Sequence, residues 1–149
     1  MATWLQPIFD RTKEDVDYAI SKLEEWKNNG GEIVDLKGCL NVSDINRIEG
    51  DIEYLSQTMS RFYYFSTTSS KTWKETDLPN VDDMSRIIGN VRSLLGGVGI
   101  PVNAPELPIT MLTYTDVNSI EENLHLLKEL MDDVISHFRE CGTFECGEE

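Results

Sequence analysis

Basic residues are scarce: 13 Lys and Arg face 27 Asp and Glu across 149 residues, for a formal charge of -14. The deficit runs along the chain, with 9 basic and 13 acidic side chains in residues 1–75 and 4 and 14 in residues 76–149. Nucleic-acid binding needs a basic stripe that displaces counterions. No Lys/Arg cluster here exceeds an isolated pair, so DNA and RNA are excluded as expected partners. Long apolar runs are also missing. Nowhere do about 18 apolar residues follow one another, and the opening MATWLQPIFD lacks a basic stretch leading into an apolar one, so neither a membrane span nor a secretion signal is expected. Cysteine is limited to three residues, which cannot all pair. A chain of this length buries roughly two thirds of its unfolded surface without a disulfide framework. One domain covering residues 1–149 is the expectation.

The parts of an active site are equally thin. Only His125 and His137 are present, and neither accompanies a Ser or Cys in a nucleophile motif. The acid pairs Asp15/Asp17 and Asp82/Asp83 form neither a calcium loop nor two acids set across a cleft. Gly96-Gly97-Val98-Gly99 lacks the Lys-Ser/Thr of a phosphate loop and reads as a helix stop. The chain is therefore expected to be no enzyme and to carry no cofactor. His137, Cys141 and Cys146 have H-x3-C-x4-C spacing and are the weak metal candidates, with Cys39 as an imaginable fourth ligand. Against that reading stand free thiols in a reduced compartment, or a Cys141–Cys146 bridge formed after release from the cell.

What the chain does contain is an internal repeat. Leu40–Leu55 (LNVSDINRIEGDIEYL), Pro79–Leu94 (PNVDDMSRIIGNVRSL) and Leu112–Leu127 (LTYTDVNSIEENLHLL) align without a gap. Seven of sixteen positions match between the first two and six between the first and third. A fainter fourth copy opens the chain, where Asp15, Val16, Ala19, Leu23 and Trp26 fall at the positions of Asp44, Ile45, Ile48, Ile52 and Leu55. Apolar residues recur at i, i+3, i+7 and i+10, centred on Ile48, Ile87 and Ile120, the pattern of a helix with one buried face.

The residues before the repeated Asp44, Asp83 and Asp116 are Ser43, Asp82 and Thr115, each able to act as an N-cap, and the Asp itself complements the helix dipole. Thr12 and Asp15 form a variant capping box at the first helix, which should stop at Gly30-Gly31.

The predicted fold is mainly α, a three- to four-helix bundle built from internal helical repeats, with little or no β-sheet. Its helices lie near 12–28, 43–65, 82–95 and 115–140, and its long loops are 29–42, 66–81 and 96–114. Glu32–Leu36 is a short strand or an extended connector. The aromatic stretch Phe62, Tyr63, Tyr64, Phe65 and Trp73 is either packing at the bundle's end or a candidate interaction surface for a sugar or a protein.

The run Leu36–Leu55, LKGCLNVSDINRIEGDIEYL, resembles helical modules of phage and prophage tail structural proteins, where "LKG-LN--D-NRIE-NI-YL" recurs. Pro7–Val16 resembles the "DRT--DV" opening of such modules, and Lys71-Thr72-Trp73 and Leu112–Leu124 resemble their later repeats. The resemblance implies a virion or phage-tail-like particle component of the tail tip, baseplate or fibre region, made in the bacterial cytoplasm. It implies assembly contacts with other virion or tail proteins or with further copies of itself. A host-surface module reading glycan or protein is the alternative. The motif varies between copies: Arg47-Ile48-Glu49 becomes Arg86-Ile87-Ile88 and then Ser119-Ile120-Glu121, while Asn46 is kept as Asn118.

Overall fold

The computed structural model describes residues 1–62 and 68–140, with side chains up to residue 137. Among the described residues there are four helices: α1 (Lys13–Asn29), α2 (Val42–Ser60), α3 (Val81–Val98) and α4 (Tyr114–Glu140). No strand occurs among the described residues, so Glu32–Leu36 is a connector.

Every helix opens on the same device, with the repeated Asp at its third position. Asp15, Asp44, Asp83 and Asp116 each accept from the backbone N–H three residues earlier, at Thr12, Asn41, Asn80 and Thr113. Thr12, Asn80 and Thr113 complete the capping box by accepting from the Asp N–H. Asn41 instead turns its side-chain oxygen to the Leu36 N–H and its amide to the Leu36 carbonyl. The expected caps Ser43, Asp82 and Thr115 thus lie two residues inside the true ones; Ser43 donates to Asp35 instead, at 2.5 Å.

Two helix ends also differ from expectation. α2 stops at Ser60 because Thr58 and Ser60 hydroxyls compete for the carbonyls of Tyr54 and Gln57, and the chain tightens into i→i−3 bonds at Arg61 and Phe62. α3 runs through Gly96 and Gly97 to Val98 and stops only at Gly99, whose φ of 114° suits glycine alone. A helical glycine costs up to about 1 kcal/mol, and Val98 packing on the core offsets it.

α2, α3 and α4 are parallel. Near one end, Arg47 beside Ile48 reaches Glu121 beside Ile120, and Arg86 beside Ile87 reaches Glu49 beside Ile48, so the three isoleucines are level. Near the other end Met59, Val98 and Met131 line one apolar recess. Between them the repeat stacks in layers, Ile48/Ile87/Ile120, Ile52/Val91/Leu124 and Leu55/Leu94/Leu127, every member 0–1% exposed. Each such side chain contributes roughly 1.5–3 kcal/mol of apolar burial.

Parallel helices require the chain to travel back. α2 is 19 residues, about 28 Å long, so a return takes roughly nine extended residues. The long loops serve this purpose. Residues 68–80 run back along α2, with Ser70 bonded to Glu53 and Trp73 to Glu49 and Asn46. Residues 99–113 pass α4 at Asn123 and bury Pro101 and Met111. The N-terminal residues 2–12 lie between α2 and α4, Ala2 at Gln57, Leu5 at Asp51, Ile8 at Glu121 and Arg11 at Asn118.

α1 stands apart. It keeps the capping box, but of its stripe only Ala19 is buried; Val16 and Trp26 are half-covered and Leu23 is 47% exposed. The following segment returns along it, Gly31 against the Trp26 ring and Gly38 against the Asp15 backbone. The bundle core therefore has three helices, and α1 with its return segment forms a hairpin at the end where α2 and α4 begin.

Candidate functional site

The repeated polar residues gather where the return segments cross the helices. Asn46 and Asn118, equivalent in the repeat, each bracket one backbone residue. Asn46 accepts from the Trp73 N–H at 2.8 Å and donates to its carbonyl at 3.0 Å. Asn118 accepts from the Arg11 N–H at 3.3 Å and donates to its carbonyl at 2.9 Å.

The equivalent acids Glu49 and Glu121 take the side chain of that same residue. Glu49 accepts from the Trp73 indole at 3.2 Å and pairs with Arg86. Glu121, fully buried, accepts from the Ile8 N–H at 2.5 Å, from Arg11 at 3.0 Å and from Arg47 at 2.6 and 3.0 Å.

Asp44 joins the same cluster. Arg11 and Arg47 donate to one of its oxygens at 3.0 and 2.7 Å. Burial pushes its carboxyl up, but the Asn41 N–H and the two guanidinium groups prevail and hold it below the ordinary carboxylate range. Arg11, Arg47, Asp44 and Glu121 are thus two cations and two anions in mutual contact, with side chains 1–11% exposed. Breaking such a buried pair costs about 3–5 kcal/mol.

A further repeated position is polar in all three copies. Asp51, Asn90 and Asn123 follow the capping Asp by seven residues and are 1–7% exposed. Each latches a segment lying along the bundle, the N-terminal one or a return loop: Asp51 accepts from the Leu5 N–H at 2.8 Å, Asn90 donates to the Ser69 carbonyl at 2.9 Å and Asn123 to the Pro105 carbonyl at 2.9 Å. Asp51 is the acid among the amides. Burial pushes its carboxyl up to about 7, with the Leu5 N–H opposing and the Glu121 charge adding. The reading of motifs missed this position, although the shared register of the three residues was visible in the aligned repeats.

The other candidates separate. Trp73 is 3% exposed, with Lys71 Nζ 3.8 Å over its ring, so it belongs to the core and is corrected out of any interaction surface. Its indole N–H donates to Glu49 of α2, the acid that also pairs with Arg86 of α3. Phe62 is 41% exposed at the rim of the Met59/Val98/Met131 recess; Tyr63, Tyr64 and Phe65 lie outside the described residues.

His125 sits beneath the N-terminal segment, its ring 5.1 Å from that of Phe9 and near Gln6 and Glu129. His137 is at 2.7 Å from the Asp133 carbonyl on its own helix, and Cys141 and Cys146 lie outside the described residues. Burial and the nearby Asp44 push the Cys39 thiol up, away from the thiolate that metal binding needs. Among the described residues no cluster of metal-ligand type is present and no helix is long and apolar enough to cross a membrane.

Among the exposed side chains are several large apolar ones. Tyr18, Ile20 and Leu23 of α1 are 58%, 51% and 47% exposed, and Ile33 and Val34 of its return segment 77% and 53%. Compared with family models, with characterised proteins and with solved structures, the chain shows no significant match to any.

Proposed function

We propose that the protein is a non-enzymatic structural component of a phage tail or phage-tail-like particle, acting through protein–protein contacts. The observation that carries this reading is where the chain spends its polar and apolar groups. The acids, arginines and asparagines of the repeat, the residues that would otherwise suggest chemistry, are engaged with one another and with the return segments. Five large apolar side chains on the α1 hairpin stay open to solvent. Large apolar side chains held in solvent are the material of contact sites, and others stand open at Leu78, Ile100, Val102 and Ile109. The resemblance of Leu36–Leu55 to tail modules supplies the particle, and with it a virion location, synthesis in the bacterial cytoplasm and neighbouring tail proteins as partners.

The test is to purify particles on a density gradient from the organism that carries the gene and to quantify this chain against the tail-tube protein by mass spectrometry. A fixed stoichiometry that survives repeated gradients is expected. Recovery of the chain solely in the particle-free fractions overturns the proposal.

A further inference from the structure

Among the described residues three extended segments lie along the bundle, and the buried polar position seven residues after each capping Asp holds one of them. Asn90 donates to the Ser69 carbonyl and Asn123 to the Pro105 carbonyl, and both of these segments link one bundle helix directly to the next. Asp51 holds residues 2–12, which reach α2 by way of the α1 hairpin. The segments tied to a bundle helix at both ends are thus held by amides, which do not titrate. The segment joined through the hairpin is held by an acid.

Backbone N–H groups anchor that segment at every third residue. Arg11 and Ile8 donate to Asn118 and Glu121, Leu5 donates to Asp51, and Ala2 donates to Gln57. The two halves differ in charge. Glu121 meets Arg11 and Arg47 directly, so the anchor at Ile8 sits on a compensated cluster. Asp51 is 1% exposed, one oxygen takes the Leu5 N–H at 2.8 Å, and the other has no partner among the described residues. Glu121 of α4 opposes its ionisation and Arg47 of its own helix favours it, while the segment itself offers the Leu5 N–H. His125 of α4 faces the same segment at Gln6 and Phe9, and Lys128 stands over the Trp4 and Tyr54 rings.

We infer that residues 2–6 are a pH-governed clasp over the groove between α2 and α4, closed while Asp51 is protonated and increasingly lifted as it ionises, with the anchors at Ile8 and Arg11 left in place. Lifting gives the carboxylate the water that burial denies it. It also uncovers Tyr54, whose ring lies 5.8 Å from that of Trp4. Burial moves the Asp51 carboxyl from an ordinary 3.8 to about 7. Between those values the closed clasp binds a proton that the lifted one has released. Opening therefore grows about tenfold per pH unit, roughly a thousandfold in all, and levels off above neutrality. The inference is independent of the particle reading.

Hydrogen exchange of the full chain by nuclear magnetic resonance from about pH 4 to about pH 8, corrected for intrinsic rates, tests it. The Leu5 amide is expected to open more readily than the Ile52 amide of the core at every pH, and its opening to rise about tenfold per unit up to neutrality. Asp51→Asn keeps the acceptor for Leu5 and should hold that amide closed without the slope, whereas His125→Asn should leave the slope as it is. In the wild type the carboxyl carbon of Asp51 should titrate at about 7. A Leu5 amide that exchanges solely together with Ile52, a slope that survives in Asp51→Asn or vanishes in His125→Asn, or an Asp51 carboxyl that titrates at about 4 overturns the inference.

Discussion

Replacing Asp51 by Asn should make the protein more stable, and increasingly so as the pH rises from about 4 to about 7. The side chain is 1% exposed, one oxygen accepts from the Leu5 N–H at 2.8 Å, and the other has no partner. Burial raises its carboxyl from an ordinary 3.8 to about 7. Between those values the folded protein holds a proton that the unfolded chain has released. Stability is therefore complete below about pH 4, falls as the pH rises to about 7, and stays reduced above.

Just over three pH units at about 1.4 kcal/mol each give a penalty of about 4 kcal/mol. Asn keeps the acceptor for Leu5 and places an N–H where the protonated acid has its O–H. Asn90 and Asn123 already occupy the equivalent positions. Denaturant and thermal unfolding followed by circular dichroism at pH 4.5 and pH 8, wild type against Asp51→Asn, isolates the effect, because all other titrating groups are common to both. At pH 4.5 the unfolded carboxyl is already mostly ionised, and a difference of about 1 kcal/mol is expected. At pH 8 a gain approaching 4 kcal/mol is expected, or about 8–16 °C in melting temperature for a domain of this size. Equal differences at the two pH values, or a loss at pH 8, would refute the argument that burial holds this carboxyl protonated.

Two glycines should respond in opposite directions to alanine. At Gly38 a Cβ would meet the Asp15 carbonyl oxygen at 2.1 Å, so Gly38→Ala should displace the return segment from α1 and lower the melting temperature, whereas Gly89→Ala, with nothing within 4 Å on a helix, should raise stability by up to about 1 kcal/mol. In the isoleucine layer, Ile87→Ala should cost about 2–5 kcal/mol and Ile87→Asp should leave no cooperative transition. A melting curve unchanged in Ile87→Asp would remove these faces from the core.

The buried faces were legible because helical spacing identifies which side of a helix is apolar, and the three copies repeated that spacing with no gap. The caps were misplaced by two residues because Ser43, Asp82 and Thr115 are themselves good cap types. The stronger signal was Asn41 and Asn80, identical between two copies and three residues before the Asp. Helix direction was not legible from the apolar pattern, which is the same for parallel and antiparallel packing. Loop length carried it, since antiparallel neighbours need only short connections and residues 61–80 and 99–113 are long enough to span a helix. Trp73 lies in an aromatic, Ser- and Thr-rich stretch, and only the distant Asn46 and Glu49, with Lys71 beside it in sequence, make it core.

The departures of the motif from strict repetition follow from the packing that the repeat produces. Three parallel helices have three edges, and an Arg-to-Glu pair of the kind found here occupies two of them, from α3 to α2 and from α2 to α4. Closing the ring would need an Arg on α4 at position 119 and a Glu on α3 at position 88. The chain has Ser119 and Ile88 there, and Ile88 is 3% exposed. A Glu buried at that point without its Arg would cost several kcal/mol, so loss of one partner is tolerable only with loss of the other, and both are absent together. Glu121, at the end of the relay, receives a second cation from outside the repeat, Arg11 of the N-terminal segment, which also reaches Asp44. That extra arginine ties the segment leading into α1 to α2 and α4 at once. Arg11, which lies outside the repeat, is therefore the means by which α1 is fixed in position on the other three helices.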